Sequence, residues 1–279
     1  MSFKTLRKFV RISAGALALS SAAMVSTPAA AQGDLLVAPT RVILDGSRGT
    51  EVILSNIGSE EATYRIGLEL RRMLDNGRLE PVEQTDANDA EEAALGMIRY
   101  APRRITLPPG QPQAVRLAAR PGADLPDGEY RVHMSFKAIP RPRAVTESDE
   151  AAQAVSIQLI PIYGVTIPII VRQGRVEAQV ALTQPQIVQG EEGPEFAMTI
   201  NRSGDSSTYG ILEVRKSGVE EPLLLLRGLA VYPEVQNREV RVRLTPEQAA
   251  LFNGQIRIEY RETPDAGGGL IAAVDSFVG

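Results

Sequence analysis

The strongest constraint on this chain is a two-residue alternation of apolar and polar side chains that returns in short runs. Tyr130-Arg131-Val132-His133-Met134-Ser135-Phe136 shows it most clearly, and Tyr64-Arg65-Ile66-Gly67-Leu68, Ala114-Val115-Arg116-Leu117 and the short run Val52-Ile53-Leu54 accompany it. Successive side chains of an extended strand point to opposite faces, so this period buries one face of a sheet and leaves the other to water. Turn-forming residues separate the runs at Asp45-Gly46, Asn56-Ile57-Gly58, Asp75-Asn76-Gly77, Pro108-Pro109-Gly110, Pro126-Asp127-Gly128, Ser203-Gly204-Asp205 and Gly267-Gly268-Gly269. Many short strands between such signals predict an all-β protein built from sandwiches. Two stretches read as helices. Asp86 to Leu95 is acidic and Ala-rich, and Thr245-Pro246-Glu247-Gln248 opens a second, through Phe252, with a cap and a proline at the first helical position.

A long strand pattern from Ala154 to Val171 ends where Arg172-Gln173-Gly174-Arg175 breaks its apolar character. A boundary there divides the chain into domains of residues 33–172 and 175–279, each the size of one sandwich. Arg141 to Glu150 is polar, contains a proline and reads as a mobile loop ahead of that strand.

Residues 1–31 carry Lys4, Arg7, Lys8 and Arg11 and no acid, then an apolar stretch from Ala14 to Val25, then Pro28-Ala29-Ala30-Ala31-Gln32. These are the three regions of a secretory signal peptide, with cleavage expected after Ala31. The apolar stretch is too short for a membrane anchor, which needs roughly 20 residues. Losing four positive charges with that segment takes the net charge from −4 to −8. So acidic a protein lacks the concentrated basic face that nucleic acid requires. With no cysteine, the exported chain must hold its fold by core burial without disulfides.

Little in the sequence supports catalysis. His133 is the only histidine, cysteine is absent, and no G-x-S-x-G or phosphate-loop motif occurs. A Ser-His-Asp triad, a thiol nucleophile and a His-rich metal site therefore lack their usual members. His133 falls within an alternating strand and reads as structural or surface. Paired carboxylates can hydrolyse glycosides without histidine, but a Trp-free chain is poorly equipped to line a sugar groove. Gly267-Gly268-Gly269 reads as a hairpin loop. No cofactor, metal or small-molecule substrate is called for.

Three ordered blocks are more specific. The first is Val37-Ala38-Pro39-Thr40-Arg41-Val42-Ile43-Leu44-Asp45-Gly46, with Val52 to Gly58 after it. The second is Pro102-Arg103-Arg104-Ile105-Thr106-Leu107-Pro108-Pro109-Gly110, with Val115-Arg116-Leu117 following, and the third is Tyr130 to Phe136 leading into Ile139-Pro140. Behind a signal peptide and ahead of a long alternating strand, these blocks resemble the periplasmic chaperones of the chaperone-usher pilus pathway, the PapD-like family. The resemblance covers the whole first domain. The second domain matches in length and strand pattern, and weakly around Asp265.

The resemblance implies two immunoglobulin-like sandwiches set at an angle in a boomerang, with a pilus or fimbrial subunit held in the cleft between them and delivered to an outer-membrane usher. It implies a periplasmic, non-enzymatic assembly chaperone. Such a subunit lacks a strand, and a chaperone can lend one: main-chain hydrogen bonds give affinity while alternate side chains fill the groove. The strand before Arg172 has that form, with Val155, Ile157, Leu159, Pro161 and Tyr163 on one face and Gln158 opposite. The plain alternative is that both its faces are core.

Arg41 matches the family's cleft arginine, which receives the subunit's terminal carboxylate, a role suited to a bidentate guanidinium. The family's second anchor, a lysine, falls at Pro168, a departure that leaves Arg103, Arg104 and Arg175 as substitutes. Glu129, Arg172 and Asp265 match the acid, arginine and second-domain acid that join the two sandwiches in an interdomain salt bridge. The competing function is an immunoglobulin-like periplasmic or surface interaction module unconnected with pilus assembly.

Overall fold

Alternating burial holds in some strands and fails in the clearest alternating run, where His133 and Ser135 on the polar phase are buried along with Val132, Met134 and Phe136 because that strand is covered on both faces. In the computed structural model, which describes residues 35–140 and 162–279, Val52 and Leu54 are fully buried while Ile53 between them is 39% exposed. The signal-peptide and cleavage assignments, the loop Arg141 to Glu150, and Val155, Ile157, Leu159 and Pro161 lie outside the described residues.

Ten strands build a first sandwich. In chain order they are β1 (Leu35–Ala38), β2 (Val42–Leu44), β3 (Thr50–Asn56), β4 (Ala62–Met73) and β5 (Leu79–Val82). There follow β6 (Ile98–Ala101), β7 (Arg104–Leu107), β8 (Pro112–Ala119), β9 (Gly128–Ile139) and β10 (Gly164–Gln173). One sheet runs β1-β3-β8-β6 and the other β2-β10-β9-β4-β5, with β7 also on β4. Tyr64, Ile66, Leu117, Val132, Met134, Phe136, Ile167 and Ile169 fill the space between them. Each such side chain contributes about 1.5–3 kcal/mol by leaving water.

The first extended segment serves both sheets. β1 lies antiparallel to β3, the chain crosses through Pro39, Thr40 and Arg41, and β2 then runs parallel to β10 with Val42 opposite Ile169 and Leu44 opposite Val171.

The first helix, α1, is Asp89–Met97 rather than Asp86 to Leu95. Asn88 decides the start: its side chain accepts the Glu91 N–H, and the Glu91 carboxylate accepts the Asn88 N–H, each at 2.9 Å. Asp86 is left in a single 3-10 turn.

Seven strands build the second sandwich: β11 (Ala178–Gly190), β12 (Gly193–Gly204), β13 (Thr208–Lys216), β14 (Leu224–Val231), β15 (Asn237–Arg243), β16 (Gly254–Glu262) and β17 (Leu270–Val278). They form sheets β11-β12-β15 and β14-β13-β16-β17. Thr245 caps α2 (Pro246–Leu251), with Gln248 closing the capping box. Phe196 and Phe252 meet at 5.2 Å in the core.

Two buried residues of the first ten strands, Met73 and Ile170, belong to this second core, and half-buried Leu79 of β5 packs against it. The turn between β4 and β5 also meets the second sandwich. Glu239 N–H donates to the Asp75 carbonyl at 2.7 Å, and Gly77, at φ +80°, lies so close under the Arg238 guanidinium that a Cβ would overlap it. No helix among the described residues is long and apolar enough to cross a membrane.

Candidate functional site: a cleft between the two sandwiches

A cleft of about 720 Å³ opens where the chain crosses between sheets. Pro39, Thr40, Arg41, Ile43 and Arg172 line it from the first sandwich. From the second come Ser206 to Tyr209, and the β16–β17 hairpin with Glu262, Asp265 and Leu270.

Arg41 points across this cleft. Its Nη2 donates to Ser207 Oγ at 2.9 Å and its Nη1 to Tyr232 Oη at 3.4 Å. The guanidinium lies over the Tyr209 ring at 4.7 Å and the Tyr232 ring at 5.6 Å, both cation–π distances. Among the described residues no carboxylate pairs with it. Its charge is therefore held by hydroxyls and aromatic rings without being neutralised.

Glu129 and Arg172 are direct cross-strand partners on β9 and β10. Arg172 Nε donates to Glu129 Oε2 at 3.2 Å, and that oxygen also accepts the Ser207 N–H at 3.0 Å. Arg172 Nη2 reaches the Ser207 carbonyl at 3.4 Å. Ser207 is thus the common partner of Arg41, Glu129 and Arg172. Asp265 lies in the 3-10 turn after β16, exposed at the cleft wall, and makes no ion pair among the described residues.

Arg202 shapes the far wall. Buried, it donates to the carbonyls of Gly204 and Ser206 at 2.9 Å, Pro233 at 2.8 Å and Val235 at 3.3 Å. Loss of solvent pushes its pKa down. One guanidinium therefore fixes both loops that present Ser207 and Tyr232 to Arg41.

Pro168 lies on β10 opposite His133. None of Arg103, Arg104 and Arg175 lines the cleft: Arg103 stacks on Tyr100 at 4.5 Å, Arg104 is exposed on β7, and the Arg175 N–H donates to Asp127 at 3.3 Å. The second guanidinium in the cleft is Arg172 itself. His133 is 1% exposed, with neither ring nitrogen hydrogen-bonded. Burial, then the nearby Arg131 and Arg71, pushes its pKa down to about 3.

β10 also offers a partly open edge. β2 covers only Ile169 to Val171, and Gly164 to Pro168 pair with β9 alone among the described residues. Ala138 N–H donates to the Tyr163 carbonyl at 2.9 Å, so the antiparallel alternation turns the N–H groups of Gly164 and Thr166 to the open side. Ile162 and Tyr163, just ahead of it, are 64% and 52% exposed.

Sequence reasoning missed Ser207, Tyr209 and Tyr232, along with the ion pair of Arg131 with Glu234 at 2.6 Å. Arg131 stands on the polar phase of the clearest alternating run; its partner lies 103 positions away, beyond any local pattern. Among the described residues no group of three or more acids or histidines is placed to hold a metal.

No family model matches this chain, and no curated protein matches it. Several solved pilus chaperones are similar in structure. The CsuC–CsuE chaperone–tip adhesion subunit pre-assembly complex from archaic Csu pili of Acinetobacter baumannii is 13% identical, with 88% of this chain and 99% of that one covered at a TM-score of 0.45. The Pseudomonas aeruginosa CupB2 chaperone is 14% identical, covering 88% and 100% at 0.44. The Salmonella enterica SafA pilin in complex with the SafB chaperone gives 15%, 88% and 96%, at 0.45.

Proposed function

We propose that this protein is an exported, periplasmic chaperone that holds a strand-deficient pilus or fimbrial subunit and passes it to an outer-membrane usher. It works by binding and carries out no chemistry. The open edge of β10 supplies the main-chain hydrogen-bonding row that an incomplete sandwich lacks. The segment proposed to be lent comprises Tyr163 and, outside the described residues, Pro161, Leu159, Ile157 and Val155. Arg41 receives the subunit's terminal carboxylate, with Arg172 as the neighbouring cation.

The observation that carries this reading is the state of Arg41. A guanidinium held in a cleft by a serine and two tyrosines, with no acid on it among the described residues, is a prepared site for an incoming carboxylate. Bringing a carboxylate there adds a charge-assisted contact of about 1.5–3 kcal/mol.

The test is co-expression of Arg41→Ala with strand-deficient subunits in a bacterial periplasm. The variant is expected to unfold thermally like the wild type yet fail to protect the subunit from degradation, with Arg41→Lys intermediate. A stable one-to-one complex with Arg41→Ala removes Arg41 as the anchor. Wild-type protein that brings down no subunit at all favours an interaction module of another kind.

A further inference from the structure

We infer that Arg131 is a positioning residue for Arg41, acting through the ring of Tyr232. This rests on the reading of Arg41 as a carboxylate anchor and adds the device that aims it. Tyr232 is buried, 3% exposed, and carries two guanidinia: Arg131 at 3.6 Å from its centroid and Arg41 at 5.6 Å. Its hydroxyl accepts from Arg41 Nη1. Burial pushes the phenol pKa up, against the pull of Arg41 and Arg131, so it stays neutral and can serve as acceptor.

Arg131 is the fixed end of this stack. Its side chain is 8% exposed and its two terminal nitrogens grip Glu234 at 2.6 and 3.2 Å, while Nη2 also donates to the Arg71 carbonyl at 2.7 Å. Glu234 is held in turn by the Met73 N–H at 2.9 Å. Both partners of the pair are thus pinned by the backbone of β4, and Tyr232 rests on a surface that cannot turn. Arg41, at the crossing between β1 and β2, has no comparable restraint from its own sandwich among the described residues; its contacts lie on the second sandwich.

The charges reinforce the geometry. Glu234 compensates Arg131, whereas no acid among the described residues compensates Arg41, so the stack has one net positive charge and it faces the cleft. Removing Arg131 alone reverses this. Glu234 then becomes an unpaired anion beside Tyr232, competing for Arg41 and opposing an incoming carboxylate. Removing both charges restores the balance. A merely structural bridge would also recover when both charges go, but it would weaken acid and amidated ligands alike and leave Arg41 where it is, whereas a positioning role acts on the carboxylate contact alone.

Two measurements test the inference on the full protein. The first is the Nε–Hε NMR signal of Arg41, identified by its disappearance in Arg41→Ala and displaced by the ring currents of Tyr209 and Tyr232. Arg131→Gln is expected to move it toward its position in Tyr232→Leu. The second is binding of a short N-acetylated peptide of alternating Val and Thr, with a free terminal carboxylate or amidated. Arg131→Gln is expected to weaken the free-acid peptide about tenfold, and Arg131→Gln with Glu234→Gln to return it to within about threefold of wild type. An Arg41 signal unmoved in folded Arg131→Gln overturns the inference, as does a double variant that binds no better than the single. If Arg131→Gln lacks a cooperative thermal transition, Tyr232→Leu is read instead, compared with Tyr232→Phe, and an Arg41 signal the same in both overturns it equally. Wild-type protein that binds acid and amide alike defeats the anchor reading, and the Arg41 signal still decides the positioning.

Discussion

Glu129 and Arg172 face each other across β9 and β10 with opposite relations to water: the carboxylate side chain is wholly buried, while 35% of the arginine side chain remains exposed at the cleft. The pair is therefore asymmetric. Arg172→Ala strands a buried carboxylate and is expected to cost about 3–5 kcal/mol in urea unfolding. Glu129→Gln removes the charge but keeps an acceptor for Ser207, and is expected to cost less. Asp265→Ala, at an exposed position without an ion pair among the described residues, is expected to fall within about 0.5 kcal/mol of wild type. An Asp265→Ala loss equal to that of Arg172→Ala would place Asp265 in the cluster.

His133 predicts a pH dependence. Its pKa is depressed in the fold to about 3, so below its ordinary value near 6.5 the unfolded chain takes up a proton the folded one refuses. Stability is fully present above that ordinary value and falls as the pH drops from there toward 3. The loss should reach a few kcal/mol. His133→Phe, which also removes two unpartnered nitrogens, is expected to flatten this limb. Equal slopes between pH 7 and pH 4 for the two proteins would contradict it.

Gly77 combines a left-handed backbone with a guanidinium directly above it. Gly77→Ala must bear the conformational cost and displace Arg238, which burial already disfavours as a cation. A loss of about 1–3 kcal/mol is expected. Gly110, also left-handed but with open space where its Cβ would be, is the control and should lose less.

Arg202→Met is expected to cost at least about 3 kcal/mol, because four carbonyls lose a charged donor together. Arg202→Lys should rescue little, since a single ammonium lacks the planar fork that reaches both loops. Full stability of the lysine variant would show that charge alone suffices there.

The strands and their buried faces were legible because alternation is local: Tyr130, Val132, Met134 and Phe136 announce their core role within seven residues. The helix at Thr245 was legible from its cap and the proline that follows it, and Asn88 shows how one overlooked cap moves a start by three residues. Arg41 stood out by resemblance and does line the cleft. Its partners were not legible. Ser207 and Tyr232 are 166 and 191 positions away, and nothing in a period or motif tells which loop of one sandwich will meet which strand of the other. Such pairings are fixed by how the two layers dock, which depends on Met73, Ile170 and the β4–β5 turn jointly.

Because Met73 and Ile170 belong by chain position to one sandwich and by packing to the other, cutting the chain near Gly174 would not yield two finished halves. The first would carry a bare apolar seam and the second an unfilled notch. Each half acts as a tightly bound ligand for its neighbour at the very high effective concentration a short tether imposes, so their melting is coupled. Calorimetry should record one heat-absorption peak for the intact chain, and the separated halves should each melt at lower temperature than that peak.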